Sequence, residues 1–152
     1  MAVWKRNRRG GVAVEFAIIV PVMAWIILGV WHFSHSYLAY SRLQWAVREG
    51  ARYAALSTYV EGSEAAFVNA VKDVVCCGSQ GCDCASRPVV QGLTKQQVDV
   101  VVSKPGAYYR PVSVLVRISS FSMNLPYSPL NLTNKPQVRY PFVGLYAAFP
   151  PQ

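Results

Sequence analysis

The chain holds 152 residues, 53% of them hydrophobic and only 14% charged, with a formal net charge of +8. Average soluble proteins carry about 25% charged residues, and the deficit here is what a membrane segment joined to one small apolar domain produces. The positive balance does not point to nucleic acid: Lys5, Arg6, Arg8 and Arg9 crowd the first nine positions, and the eleven basic and seven acidic residues from Gly11 onward leave +4, scattered without a cluster.

Residues 1–10 form a basic leader. The next 21 residues, 11–31, are apolar apart from Glu15, and the last sixteen of them carry no charge. A helix of about 20 residues crosses the hydrocarbon core of a bilayer. Residues 11–31 therefore read as one membrane span, with the basic tract holding the N-terminus in the cytoplasm and the remainder outside, in the periplasm of a bacterium. Glu15 is out of place in such a span, where a carboxylate costs about 2.5–3.5 kcal/mol on insertion scales. Anchoring alone does not require it. Pro21 lacks an N–H and crowds the carbonyl of Ala17, so the helix is expected to loosen there. A rival reading is a secretory signal peptide cut at Ser34-His35-Ser36; the length of the apolar run and the helix-compatible sequence through that point argue against it.

Past Trp31 the chain has no glycine or proline before Gly50. Leu43, Ala46, Val47, Gly50, Ala51 and Ala54 follow a three-four spacing, a stripe of mostly small side chains on one face, with Arg42, Glu49 and Arg52 towards the others. The spacing predicts one helix over residues 12–56, about 65 Å long, whose part from 32 to 56 is amphipathic and packs on a domain. Gly50 costs about 1 kcal/mol in a helix, which implies the close approach of a sheet or a second helix.

Residues 57–152 make a small domain. Ser63 is a candidate N-cap with Glu64 in the first turn, and Phe67, Ala70, Val71 and Val74 supply the apolar face of a short helix. Residues 76–88 read as an irregular loop. Residues 97–103 and 112–119 alternate as strands, the second with Val112, Val114, Val116 and Ile118 on one face, and Lys104-Pro105-Gly106 provides the turn between them. Residues 121–136, rich in Ser, Asn and Pro, read as a surface loop. Residues 137–149 hold a third strand, interrupted or kept at an edge by Pro141. The fold class is α+β: a long N-terminal helix, its first half transmembrane, then a second helix and an antiparallel sheet of about three strands.

The stretch Arg8-Arg9-Gly10-Gly11-Val12-Ala13-Val14-Glu15-Phe16 resembles the TadE-like family, pilin-like proteins of the tight-adherence (Flp) pilus machinery and relatives of type IV prepilins. The stretch Ala46-Val47-Arg48-Glu49-Gly50-Ala51-Arg52-Tyr53-Ala54-Ala55 resembles a later segment of the same family helix. The resemblance implies cleavage by a membrane-embedded prepilin peptidase between Gly10 and Gly11, with a cut after Gly11 as the variant that the double glycine allows. It also implies that Glu15, followed by Phe16, pairs with an N-terminal amine during assembly. Implied partners are the prepilin peptidase, other minor pilins, the major Flp pilin, the inner-membrane platform and the membrane itself. The globular part exceeds that of small major pilins, which favours a minor, initiating, capping or coupling role.

Cys76, Cys77, Cys82 and Cys84 lie within nine residues. Outside the cytoplasm an even set of cysteines favours disulfides. Three connectivities exist; a Cys76–Cys77 bridge is the least favoured, and a nested pair such as Cys77–Cys82 with Cys76–Cys84 would staple the loop. A zinc site and free thiols are the alternatives, although the spacing lacks paired C-x2-C ligands. His32 and His35 lack a third ligand in the motif and suit the membrane interface beside Trp31 and Tyr37. Arg48, Glu49 and Arg52 read as solvated or intersubunit ion pairs. Tyr108, Tyr109, Phe121, Tyr127, Tyr140, Phe142, Tyr146 and Phe149 serve core or surface packing, with a partner patch as the alternative. No GxSxG, HExxH or phosphate loop is present, and nothing in sequence ties Asp73, Asp83 and Asp99 together, so neither catalysis nor a cofactor nor a metal is expected. The sequence thus points to a minor pilin of a Tad system in the bacterial inner membrane; the alternative is an unprocessed, signal-anchored structural or adhesin-like envelope protein.

Overall fold

The computed structural model describes residues 8–104, 110–123 and 129–147, with side chains from Gly11 onward. Lys5, Arg6, Pro105, Gly106, Tyr108, Tyr109, Tyr127 and Phe149 lie outside the described residues, and with them the leader charges and most of the expected turn. The fold is α+β. In chain order it comprises α1 (Arg8–Leu56), β1 (Tyr59–Val60), α2 (Glu64–Cys77), a 3-10 turn (Lys95–Gln97), β2 (Val98–Ser103), β3 (Ser113–Ile118), β4 (Ser120–Met123), β5 (Leu130–Thr133), β6 (Gln137–Pro141) and β7 (Tyr146–Ala147). Two compact units divide the chain, Met1–Tyr37 and Leu38–Gln152.

The first unit is the apolar part of α1. The helix continues through Pro21, a position where no hydrogen bond to the Ala17 carbonyl can form.

The second unit holds the core. Leu43, Val47, Ala51 and Ala54 of α1 are fully buried and Ala46 nearly so. Small side chains there bring helices together, and at Gly50 the approach is closest: a β-carbon on Gly50 would overlap the side chain of Val75 in α2. Phe67, Val71, Val74, Val75 and Cys76 form the buried face of α2, while Ala70 is only half-buried. The helix runs on to Cys77 where a loop was expected from residue 76. It stops at Gly78, whose positive φ of 83° lets its N–H reach the Val74 carbonyl. Ser63 occupies the N-cap position without a side-chain capping bond. Its carbonyl accepts from the Phe67 N–H instead.

The three-stranded antiparallel sheet has the order β2-β3-β6. Its register sets Val100 opposite Val116 and Val116 opposite Val138, a β-branched row across the sheet. Val114, Val116 and Ile118 are fully buried, but Val112 is 55% exposed. Strand β3 begins after it, and Pro111 is the buried residue at that end. Strand β6 is an edge that ends on Pro141, as suits a residue with no N–H to donate.

Residues 121–136 are not a plain surface loop. Their ends form the hairpin β4–β5, with Phe121 opposite Leu132 and Met123 opposite Leu130. Phe121 and Met123 enter the core while Ser120 and Ser122 face out. A parallel two-residue bridge, β1–β7, places Tyr59 beside Tyr146.

Candidate functional site

The segment that carries the sequence signature lies at the start of α1. The Gly10–Gly11 bond is within the helix, which begins at Arg8, and nothing stands within 4 Å of a β-carbon built on Gly11. Glu15 lies one helical turn beyond Gly11, on the same side of the helix. Every side chain from residue 11 to residue 31 is exposed, among them Phe16 at 67%. Contiguous apolar surface on this scale needs lipid or other helices to cover it.

At the end of this run and just beyond it, ring side chains gather. Trp31 meets His32 edge-on at 4.9 Å and stacks on His35 at 6.3 Å, and Phe33 stacks on Tyr37 at 6.4 Å. Amphipathic rings of this kind suit the level of lipid headgroups. The Ser34 and Ser36 hydroxyls donate to the Val30 and His32 carbonyls one turn back, at 2.8 and 2.9 Å. The stretch Ser34-His35-Ser36 is therefore intact helix.

In the second unit the cysteines pair as Cys76–Cys84 and Cys77–Cys82, with Cα separations of 5.6 and 6.5 Å that lie in the normal range for bridges. The Cys76–Cys84 pair is buried; Cys77 and Cys82 are half-buried. Asp73, 9% exposed, is ion-paired to Lys95 and accepts from the Gly81 N–H at 3.3 Å. It thereby fixes the loop between the two bridged segments. Asp99 pairs with Arg117 across the β2–β3 ladder, at 2.6 Å, and Asp83 bonds the Ala85 N–H in a local turn. The three aspartates thus serve three separate structural contacts. Among the described residues no group of three or more His, Cys, Asp or Glu is arranged to hold a metal.

One cluster had no signal in the sequence. Lys104, at the end of β2, pairs with Glu64 at 2.9 Å and lies 5.2 Å from the centre of the Tyr59 ring. Tyr59 stacks on Tyr146, whose hydroxyl donates to Glu61 at 2.9 Å. Hydrogen bonding to Tyr59 and then to Glu64 holds the Lys104 ammonium above its ordinary pKa. Desolvation and then the Glu61 bond hold the Tyr146 phenol above its own. The contacts bring Lys104, just past β2, and Tyr146 of β7 to the Tyr59–Glu64 segment of β1 and α2, and about 40 residues or more of sequence separate these three parts. Of the aromatic residues singled out in the sequence, Phe121 and Phe142 are core, Tyr146 is half-buried and Tyr140 is 39% exposed.

The model of the TadE-like protein family matches residues 10–52, the stretch that holds Gly10, Gly11, Glu15 and most of the small-residue stripe. No curated protein and no solved structure matches the chain. The match covers under a third of the sequence and fits a component related to the Tad pilus that carries one N-terminal apolar helix as a membrane anchor. Over residues 10–52 the chain is similar to the TadE-like family.

Proposed function

We propose that this protein is a minor, pilin-like assembly subunit of a Tad pilus. It enters the inner membrane with its N-terminus in the cytoplasm and its C-terminal domain in the periplasm. Prepilin peptidase removes residues 1–10, and the new Gly11 amine becomes a partner for Glu15 of a neighbouring subunit. The observation that carries this reading is Glu15 itself, an exposed acid one turn past Gly11 on a helix whose other side chains there are apolar. Two opposite charges in a low-dielectric layer relieve each other's desolvation, and a slip of one turn would leave both alone. The pair thus sets the axial register between subunits.

The two adjacent glycines also favour processing. A peptidase binds extended backbone, and each glycine lowers the cost of leaving the helix by about 1 kcal/mol relative to alanine. The same bond supports the second reading, an anchor that is never cut. Because α1 already begins at Arg8, the bond is helical until something unwinds it.

Glu15→Gln separates charge from shape. The expected result is a chain that is still shortened at Gly10–Gly11 but no longer enters or supports fibres. Normal fibres from the Gln variant would remove the pairing role.

A further inference from the structure

The last two turns of α1 carry a groove that the pilin-like reading does not use. Glu49, Arg52, Tyr53 and Leu56 follow the i, i+3, i+4, i+7 spacing of one helix face, turned away from the buried Ala51 and Ala54. With Ser57 they line a recess of about 390 Å³, within the size range of small-molecule sites. Its polar groups have capacity to spare. Among the described residues no ion pair involves Glu49 or Arg52, although side chains three apart on a helix are neighbours. The Tyr53 hydroxyl accepts from the side-chain amide of Gln80, which leaves its own proton to donate. The Ser57 hydroxyl donates to the Tyr53 carbonyl, which leaves its lone pairs to accept. Leu56, 60% exposed, supplies an apolar bed beside them.

We propose that this groove binds a zwitterionic α-amino acid with an aliphatic side chain. The Arg52 guanidinium takes the ligand carboxylate as a planar fork, and the Tyr53 hydroxyl donates to the same group. Glu49 takes the ammonium, with the Ser57 oxygen as a second acceptor. The ligand side chain lies on Leu56. Charge complementarity selects this class. A guanidinium alone would take any anion, and a carboxylate alone any amine. Together, unpaired and with β-carbons about 5–6 Å apart, they fit a ligand whose two charged groups share one carbon. Gln80 belongs to the loop closed by Cys77–Cys82, so that bridge holds the residue that orients the Tyr53 hydroxyl. The site stands apart from any event at Gly10–Gly11, and neither proposal depends on the other.

Isothermal titration of the full chain in detergent, with its bridges intact, tests the site with leucine, leucinamide and N-acetyl-leucine. Leucine carries both charges, leucinamide lacks the carboxylate and N-acetyl-leucine lacks the ammonium. Leucine is expected to bind one to one with a dissociation constant of about 1 mM or below, and each capped analogue about tenfold more weakly. The variants then separate the two charges. Arg52→Gln weakens leucine by about tenfold and leaves leucinamide unchanged, whereas Glu49→Gln weakens leucine as much and leaves N-acetyl-leucine unchanged. Leu56→Ala weakens leucine but not glycine. Thermal unfolding of each variant separates loss of the site from loss of the fold, and the ligand series on the native chain needs no variant. Equal binding of the three ligands, folded variants that weaken every ligand alike, or no leucine binding up to about 10 mM would each overturn the site.

Discussion

Gly50 of α1 lies against Val75 of α2 so closely that a β-carbon on the glycine would overlap the valine side chain. The contact joins the family-like helix to the domain that follows it, and α2 in turn carries Cys76 and Cys77 of the stapled loop. Gly50→Ala gains about 1 kcal/mol of helix propensity but overpacks a valine that cannot turn aside, at a cost of about 1–3 kcal/mol. A net loss of about 1 kcal/mol in thermal unfolding of the detergent-solubilised chain is expected. In a Val75→Ala background the same substitution becomes neutral or stabilising, because the overlap is gone and the propensity gain remains.

The Lys104–Tyr59 and Tyr146–Glu61 contacts predict an alkaline limit to stability. Both Tyr146 and Lys104 have folded-state pKa values raised above 10.0 and 10.5, respectively. A raised pKa means that the folded state prefers the protonated form. The stabilisation is therefore complete below these values and is lost as pH climbs through the folded ones. Melting temperature should fall above pH 10 more steeply in the native chain than in Tyr146→Phe, while the two run parallel between pH 7 and 9. Identical slopes above pH 10 would remove Tyr146 from the cluster's account.

Burial separates the two disulfides. Cys76 is fully buried and Cys84 is 5% exposed, whereas Cys77 and Cys82 are half-buried. Under a mild reductant Cys77–Cys82 should open first, leaving Cys76–Cys84 in place, as read by differential alkylation and peptide mass. Cys84→Ser should cost more than Cys82→Ser, since it also puts a hydroxyl into the core; about 2–3 kcal/mol is the scale for losing a bridge over so short a loop.

Much of this fold was legible because it is written in local periodicity. The three-four spacing of Leu43, Ala46, Val47, Gly50, Ala51 and Ala54 predicts the buried face of α1, and the alternation of Val114, Val116 and Ile118 predicts the buried face of β3. Pro141 predicts a strand that is interrupted or kept at an edge, and β6 is an edge that ends on it. The pairs that join distant segments were less so. Strands β1 and β7 are two residues each and 87 positions apart at Tyr59 and Tyr146, which leaves no local pattern to read. The hairpin β4–β5 did leave one, Ser-Phe-Ser-Met against Leu-Asn-Leu-Thr, but composition rich in Ser, Asn and Pro outweighed the four-residue alternation. Clustered cysteines suggest a loop from residue 76, but helix α2 runs on to Cys77 and its stop signal is Gly78.

The role assigned to Glu15 depends on what becomes of the bond before it, and the intact mass of the chain extracted from native membranes reads that directly. Cleavage by prepilin peptidase predicts a mass lower by residues 1–10, with Gly11 as the new N-terminus. An uncut chain, or one shortened by about 36 residues at a signal-peptidase site, would contradict it.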